Sequence, residues 1–256
     1  RFTQVAARHP GAWFPVERSA REIAQPGDRN RYVAFPHTKF MNAMNQINQS
    51  AALLLTSVGE ARRAGIDQAH WIFLHGAADA AERGFFTDRV NYYSSPAIHI
   101  MGQQALGMAG CSIDDIDFID IYSCFPCAVA IARDELGIAR DDPRALTVTG
   151  GLPFHGGAGN SYSMNAIATL SKRLREAPGA FGLITANGGY LSKHAAGIYS
   201  TKPTEGPWQR VPPASYQTQI DSLAAPALET LPSGPARIET YTVTFGRDGR
   251  PDKGIV

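Results

Sequence analysis

Two cysteines lie in a turn that the sequence predicts to join a strand to a helix. Residues 116–121 set Ile116, Phe118 with Ile119, and Ile121 against two aspartates, a pattern that predicts a strand. From Val129 the apolar positions follow helical spacing. Tyr122 to Cys127 therefore occupy the carboxyl end of a strand, the edge at which open α/β sheets bind ligands. The first candidates for chemistry at this turn are the two thiols.

Cys124 and Cys127 have the C-x-x-C spacing of redox sites, in which a helix N-terminus lowers the pKa of a thiol. The alternative is that both side chains simply pack beneath the turn. A zinc site would need a second pair of ligands, and the sequence has only one further cysteine, Cys111. An odd number of cysteines favours reduced thiols and a cytoplasmic protein over a secreted disulfide framework.

A second candidate is the glycine-rich block 150–159, which holds five glycines and precedes a predicted helix capped by Asn160. Such a block could bring backbone N–H groups to a phosphate or a carbonyl oxygen. It matches neither the P-loop nor the dinucleotide-binding pattern. Within the block His155 is placed to line a pocket, as is His194 after the Gly188–Gly189 turn. Structural roles are predicted for His9, His37, His70 and His99.

These positions lie within an alternation of strands and helices, which is typical of α/β folds. Helices are predicted from Pro96 to Gly110, from Val129 and after Asn160. Strands are predicted at 51–56, 71–74, 116–121, 146–149, 181–186 and, as a hairpin partner of the last, 193–201. The 51–56 segment also fits one face of a helix that would run from Met44 to Val58.

Composition excludes several classes of function. The net charge is +1, with 24 Lys and Arg against 23 Asp and Glu, so no field favours nucleic acid or an anionic membrane. No apolar run is long enough to span a bilayer, and no signal peptide is evident. We expect no nucleic-acid partner and no membrane span.

The ends of the chain differ from its middle. The first 33 residues have no clear periodicity, and five prolines fall between Pro203 and Pro226. Residues 237–245 read as a strand, followed by a turn at 247–250. We expect the chain to be part of a longer protein and to end inside a further domain.

The order of these segments resembles the carboxyl-terminal half of a thiolase, or acetyl-CoA acetyltransferase. The resemblance covers roughly residues 36–200. It is carried by the run from Pro96 to Gly110 and by four phrases, Asp-Asp-Ile-Asp at 114–117, Tyr-Ser-Cys-Phe-Pro at 122–126, Thr-Val-Thr-Gly-Gly-Leu at 147–152 and Thr-Ala-Asn-Gly-Gly-Tyr-Leu at 185–191. The last three of these phrases are most similar to sterol-carrier-type thiolase-like proteins that have an additional carboxyl-terminal domain.

The resemblance implies a thiolase-like α/β fold, with a mixed five-stranded sheet covered by helices on both faces. It divides the chain into the tail of the first thiolase half at 1–83, the carboxyl-terminal thiolase domain at 84–203 and the start of a small β-containing domain at 204–256. The nucleophilic cysteine of a thiolase belongs to a part of the first half that lies outside this sequence.

The resemblance also assigns roles to residues. Tyr122 stands where thiolases place a residue that supports an oxyanion hole, and a phenol can donate one hydrogen bond there. His155 lies near the position of the Gly-His-Pro loop. The Cys-x-Gly loop is replaced by residues 186–189, which have no thiol. The implied catalytic residues are Tyr122 and His155, and the implied substrate- or CoA-binding residues are Gly156, Gly157, Asn187, Gly188, Gly189 and His194.

We therefore expect part of an acyl-CoA acyltransferase that is inactive as an isolated chain, with CoA or acyl-CoA as a reversible ligand and no covalently bound cofactor or metal. One alternative is a catalytically degenerate protein that binds CoA esters or lipids. A second is retro-aldol cleavage of CoA esters, with Tyr122 handling the proton, and the redox module is the third. The protein would be a monomer, or a homodimer that pairs through first-half strands.

Overall fold

The computed structural model describes residues 1–256, apart from the side chain of Phe86. In this described part the helices are α1 (Phe2–Ala6), α2 (Ala20–Ala24), α3 (Val58–Arg63), α4 (Pro96–Ala109), α5 (Pro126–Glu135), α6 (Tyr162–Glu176) and α7 (Ala214–Asp221). The strands are β1 (Tyr32–Ala34), β2 (His37–Thr38), β3 (Phe73–Ala81), β4 (Phe118–Asp120), β5 (Phe181–Gly188), β6 (Lys193–Ser200), β7 (Thr242–Phe245) and β8 (Pro251–Ile255). Short 3-10 helices lie at Lys39–Met41, Gln68–His70, Phe86–Asp88 and Ile113–Asp115.

The main sheet has the strand order β3-β6-β5-β4, with β4 parallel to β5 and the other pairs antiparallel. Successive side chains of a strand point to opposite faces. Leu183 of β5 accordingly packs in a cluster with α4, α5 and α7, whereas Ile184 packs in a second cluster with α6. The predicted α/β fold with helices on both faces of a mixed sheet is confirmed.

The sheet has four strands in the described residues, whereas five were expected. Residues 146–149 form no strand, although the Ile121 N–H donates a hydrogen bond of 3.0 Å to the Leu146 carbonyl. This segment is instead attached to the end of β4 through the side chain of Asp120, which accepts a hydrogen bond of 2.9 Å from the Val148 N–H. A side chain thus replaces the backbone ladder that would have made a fifth strand.

The prediction for residues 51–56 was wrong in both of its forms. The segment is neither strand nor helix, and α3 begins only at Val58, where the Ser57 hydroxyl accepts a hydrogen bond from the Glu60 N–H. Leu54 and Leu55 are more than four-fifths exposed, so the apolar run finds no sheet edge or core to pack against.

The strand predicted at 71–74 begins at Phe73 and continues to Ala81, because β6 pairs with it along its whole length. Its glycine and alanines are poor strand formers, but they allow α4 to approach closely. A Cβ at Gly76 would lie 2.1 Å from the Ala105 carbonyl oxygen. Tertiary packing here overrides local preference.

Helix α4 is capped at both ends, whereas α6 has no side-chain cap at its N-terminus in the described structure. For α4, Ser95 caps the Ile98 N–H, Pro96 occupies the first turn, and Gly110 ends the helix with φ of 66°. The helix predicted from Pro96 to Gly110 is confirmed. The prediction that Asn160 caps α6 was wrong, because the residue preceding this helix is Ser161 and no side chain caps its N-terminus in the described structure.

A second sheet joins the two ends of the chain, in the order β2-β1-β7-β8. β1 pairs antiparallel with β7, with Ala34 opposite Thr244, and β7 forms a hairpin with β8. The strand predicted at 237–245 is present only from Thr242, and the turn after it is also present. The pairing of this strand with β1 could not be predicted from the sequence, because β1 is only three residues long and the residues around it show no strand periodicity. The three-segment division at 83 and 203 stays a prediction.

The glycine block is packed against α1. Gly150 has φ of 109°, and a Cβ there would lie 2.4 Å from the Ala6 Cβ and 2.6 Å from its Cα. Gly151 has φ of 82°, and its Cβ would lie 2.5 Å from the Phe2 ring. Glycine at these positions therefore allows the amino-terminal helix to contact the block directly.

We predict that Gly150→Ala lowers the free energy of unfolding by about 2–4 kcal/mol, because it adds overpacking to the cost of a positive φ. Gly65→Ala is the matched control, since Gly65 has φ of 67° but open space around its Cβ position. The control should cost about 1–2 kcal/mol. Chemical denaturation measures both, and equal losses would show that contact with α1 contributes nothing.

Candidate active site at the ends of β4 and β5

Three of the predicted site residues meet at one edge of the main sheet. Tyr122 follows β4, Asn187 lies near the end of β5, and His194 lies opposite Asn187 on β6. All three line a cavity whose remaining walls are apolar side chains of α4 and α5, with Ile121, Thr185, Ala186 and Leu191. Its volume is about 10 Å³, which is close to the space that a single water molecule requires.

Tyr122 is held by a backbone hydrogen bond. Its N–H donates to the Thr185 hydroxyl at 2.9 Å, and its ring stands edge-on to the Tyr162 ring, with centroids 5.5 Å apart. Burial raises the pKa of the half-buried phenol above its ordinary value, and the nearby Cys124 adds to this effect. Tyr122 is therefore neutral at pH 7 and can donate a hydrogen bond.

His194 is only 4 % exposed, and its Nε2 has no hydrogen-bond partner in the described structure. Burial lowers the pKa of the imidazole, and a hydrogen bond with the Leu191 backbone opposes this only in part. The ring is therefore neutral at pH 7. A buried polar atom without a partner is costly, which favours a role for this nitrogen in binding a ligand or a water.

The hairpin between β5 and β6 has an unusual backbone beside this cavity. Gly189, Tyr190 and Leu191 have φ of 59°, 58° and 60°, and the last two are not glycines. Gly188 is half-buried at the end of β5, whereas Gly189 is exposed. Left-handed backbone at non-glycine residues costs free energy and is often found next to functional sites.

His155, Gly156 and Gly157 form a separate group behind Tyr162. The Tyr162 ring contacts the His155 ring at a centroid distance of 6.1 Å and so lies between it and Tyr122. A Cβ at Gly156 would lie 2.1 Å from Ile47 Cδ1. The Gly157 N–H donates to the Met44 carbonyl at 2.9 Å. The space around this loop is occupied by residues 44–49 of the same chain.

His9 was predicted to be structural, and its contact with His155 was missed. The two rings meet edge to face with centroids 4.8 Å apart. His9 Nδ1 accepts a hydrogen bond from the Gly11 N–H at 3.0 Å, so the proton of the neutral ring lies on Nε2, which faces the Thr169 hydroxyl at 3.1 Å. Burial, with His155 and two cations of α6 nearby, lowers the pKa of His9 to about 4.

Asp120 is the main structural residue that sequence reasoning missed. Its carboxylate is fully buried and accepts hydrogen bonds of 2.9 Å from the Thr147 hydroxyl, the Val148 N–H and the Tyr162 hydroxyl. Burial raises its pKa to about 6, although these hydrogen bonds act in the opposite direction. With a strand period of two, Asp120 shares a face with the apolar Ile116 and Phe118, and this position among apolar residues was the signal in the sequence for its burial.

The two cysteines of the turn do not resemble a redox pair. Burial raises the pKa of Cys124 to about 11, and it also raises the pKa of Cys127. Cys124 accepts a long hydrogen bond of 3.7 Å from the Asn187 amide and packs against the cluster around Tyr162. The thiols are protonated at pH 7, and thiols in this state react slowly. Among the described residues no group of His, Cys, Asp and Glu side chains could hold a metal ion.

Comparison with known proteins agrees with this architecture. The family model described as "Thiolase-like protein type 1 additional C-terminal domain" matches residues 215–256. A crystal structure of a monomeric SCP2-thiolase-like protein type 1 from Mycobacterium smegmatis is 42% identical, with a TM-score of 0.89 over 95% of this chain. The chain belongs to the thiolase-like family. It spans 54% of the length of that neighbour, and no curated protein sequence matches it.

In this thiolase-like chain Tyr122 and Asn187 lie at the strand-to-turn edge that the periodicity of the sequence predicts. Thr185 was not singled out, although it holds the Tyr122 backbone and lines the cavity. Among the described residues, no helix is long and apolar enough to cross a membrane.

We predict that Asp120→Asn lowers the free energy of unfolding at pH 7 by about 2–3 kcal/mol, because an amide group cannot accept all the hydrogen bonds that the carboxylate accepts. Asp114→Asn, at an exposed position of the same segment, should change it by less than about 0.5 kcal/mol. Urea denaturation of the two variants measures both free energies of unfolding. Similar losses would show that the hydrogen-bond network around Asp120 does not contribute to stability.

The stabilities of Asp120→Asn and Asp114→Asn should also differ in their dependence on pH. Because the pKa of Asp120 is raised in the folded state, the folded protein binds this proton more tightly than the unfolded chain does. The contribution of Asp120 therefore favours folding below about pH 4 and weakens as the pH rises to about 6. This component of the pH dependence should be absent from Asp120→Asn and retained in Asp114→Asn.

We predict the opposite slope for His9. A histidine whose pKa is lowered by folding stabilises the protein while it is neutral, so stability is lost as the pH falls from about 6.5 to about 4. His9→Gln should lose less stability over this range than the unsubstituted chain. His70→Gln, at an exposed position, is the control and should retain the full loss. Denaturation curves at several pH values measure this loss of stability. Equal losses in the two variants would contradict the assignment of this pH dependence to His9.

Proposed function

We propose that this chain forms the carbonyl-binding wall of an acyl-CoA site in a thiolase-like protein that transfers acyl groups. The observation that carries the proposal is that Tyr122, Asn187 and His194 line one cavity at the carboxyl ends of β4 and β5. This edge of an α/β sheet is the usual place for a ligand. CoA or its acyl ester would be the reversible small-molecule partner, and reduced thiols favour a cytoplasmic location.

The charges and protonation states of this wall suit a thioester. A neutral phenol can donate a hydrogen bond to a carbonyl oxygen and would stabilise negative charge that develops on it. The amide of Asn187 supplies further donors, and the neutral ring of His194 brings a polar group without the cost of a buried cation. The main sheet positions all three residues, since Asn187 and His194 lie on β5 and β6 and Tyr122 follows β4.

Acyl transfer also needs a nucleophile, and the three cysteines of this chain are poor candidates. Burial raises the pKa of Cys111, Cys124 and Cys127, so each is a protonated thiol at pH 7. We infer that the thiol that accepts the acyl group is supplied by a part of the protein outside these residues, and that this chain contributes binding and charge stabilisation alone.

A specific observation favours a second candidate, the binding of CoA esters without turnover. The three thiols of this chain are protonated at pH 7, and the loop at 186–189 has no cysteine that could act as an acid or a base. A protein that only sequesters an acyl-CoA would need fewer groups arranged around the carbonyl. Catalytic turnover by the full-length protein distinguishes the two candidates.

We predict that Tyr122→Phe weakens acetyl-CoA binding about threefold to tenfold, as expected for the loss of one hydrogen bond. Free CoA has no thioester carbonyl, so its affinity should not change. Tyr93→Phe, at a residue that is 81% exposed, is the control for a surface phenol. Calorimetric titration of the full-length protein provides the measurement. Equal weakening for both ligands, or no binding of either, would contradict the proposal.

A further inference from the structure

The outer edge of the main sheet is closed by side chains. β3 lies at one end of the strand order, so the backbone groups on its outer side have no neighbouring strand in the described structure. An open edge of this kind is a template for pairing with another chain. Three consecutive outward residues, Ala77, Asp79 and Ala81, nevertheless have partners for their N–H groups, and these partners are all side chains.

Helix α7 supplies most of this cover. The Tyr216 hydroxyl accepts a hydrogen bond from the Asp79 N–H at 3.4 Å and donates one to the Asp79 carbonyl at 2.8 Å. The Gln217 amide accepts from the Ala81 N–H at 3.0 Å and donates to the Ala81 carbonyl at 2.8 Å. The pairing of one amide group with both backbone groups of a residue is what a neighbouring strand provides.

Other contacts complete the cover. Met108 Sδ of α4 accepts from the Ala77 N–H at 3.4 Å, and Arg210, just before α7, forms an ion pair with the Asp79 carboxylate. The edge is thus occupied from Ala77 to Ala81.

The cover is a docked element rather than part of the sheet. α7 has eight residues and buries only Tyr216 and Ile220, and a helix this short is unstable unless it is packed. Prolines lie on both sides of it, between Pro203 and Pro226. It also lies where the match to the additional carboxyl-terminal domain begins, at residue 215.

We propose that α7 is a detachable substitute for a β-strand: when docked it closes the edge of β3, and when released it exposes the backbone of Asp79 and Ala81 for pairing with β3 of a second copy of the chain. Antiparallel pairing of an edge with itself about a two-fold axis is an isologous contact that closes as a dimer. Residues 76–81 of β3 contain only glycine, alanine and Asp79, so a second β3 would bring small side chains and this carboxylate to the contact. The docked form agrees with the monomeric state stated for the neighbour from Mycobacterium smegmatis.

The hydrogen bonds are tested first with Tyr216→Phe/Gln217→Ala, which removes the polar groups and keeps the packing of the ring. Amide hydrogen exchange of Asp79 and Ala81 should become about threefold to tenfold faster at low protein concentration. Gln219→Ala, at an exposed position of the same helix, should leave both rates unchanged. Unchanged rates in the double variant would overturn the role of α7.

The pairing is tested by releasing the helix with Tyr216→Ala/Gln217→Ala/Ile220→Ala. Sedimentation velocity should show a dimer whose fraction rises with protein concentration, and exchange at Asp79 and Ala81 should slow again in that dimer. The control Ser215→Ala/Thr218→Ala/Gln219→Ala changes the exposed face of the same helix and should stay monomeric. Circular dichroism verifies that both variants are folded. A released variant that is folded and monomeric at every concentration, or a dimer with fast exchange at these amides, would overturn the proposal.

Discussion

The buried carboxylate of Asp120 is the constraint on which the candidate site depends. It fastens the end of β4 to the segment at 147–148 and to the first residue of α6, three parts of the chain that share no backbone ladder at this point. Tyr162, held by this carboxylate, places its ring against both Tyr122 and His155. Leaving such a group unpaired would cost several kcal/mol, so the network holds the turn and the glycine block in one arrangement.

Close approach of backbone is the second organising feature. Because they have no side chain, Gly150 and Gly151 allow α1 to pack closely. In the same way Gly156 leaves room for Ile47, and Gly76 leaves room for the backbone of α4. In each case the space that a side chain would fill is taken by another part of the same chain. Glycines that resemble a ligand-binding loop in the sequence allow close packing here, and the cavity lined by Tyr122 and His194 lies on the other side of Tyr162.

The thiolase-like architecture and the chemistry of its loops are separable. The sheet, the crossover helices and the hairpin from β5 to β6 are those of the family, as the likeness to the neighbour from Mycobacterium smegmatis shows. The groups at the loops are a phenol, an amide and neutral imidazoles, with protonated thiols nearby. A fold can keep its core while its sites change, because core packing and site chemistry are determined by different residues.

The sequence by itself determined the elements whose signals are local. The helix from Pro96 to Gly110 follows from its first-turn proline, its apolar face and its terminating glycine, and the edge that carries Tyr122 follows from a strand pattern that gives way to helical spacing. Family resemblance supplied the overall fold. Only the tertiary structure decided that Asp120 is buried, that His9 meets His155, that residues 146–149 are no strand and that α7 covers β3. These features join residues from 27 to 146 positions apart. Their free energy comes from desolvation and from hydrogen bonds that exist only once distant segments meet, so no local pattern carries them.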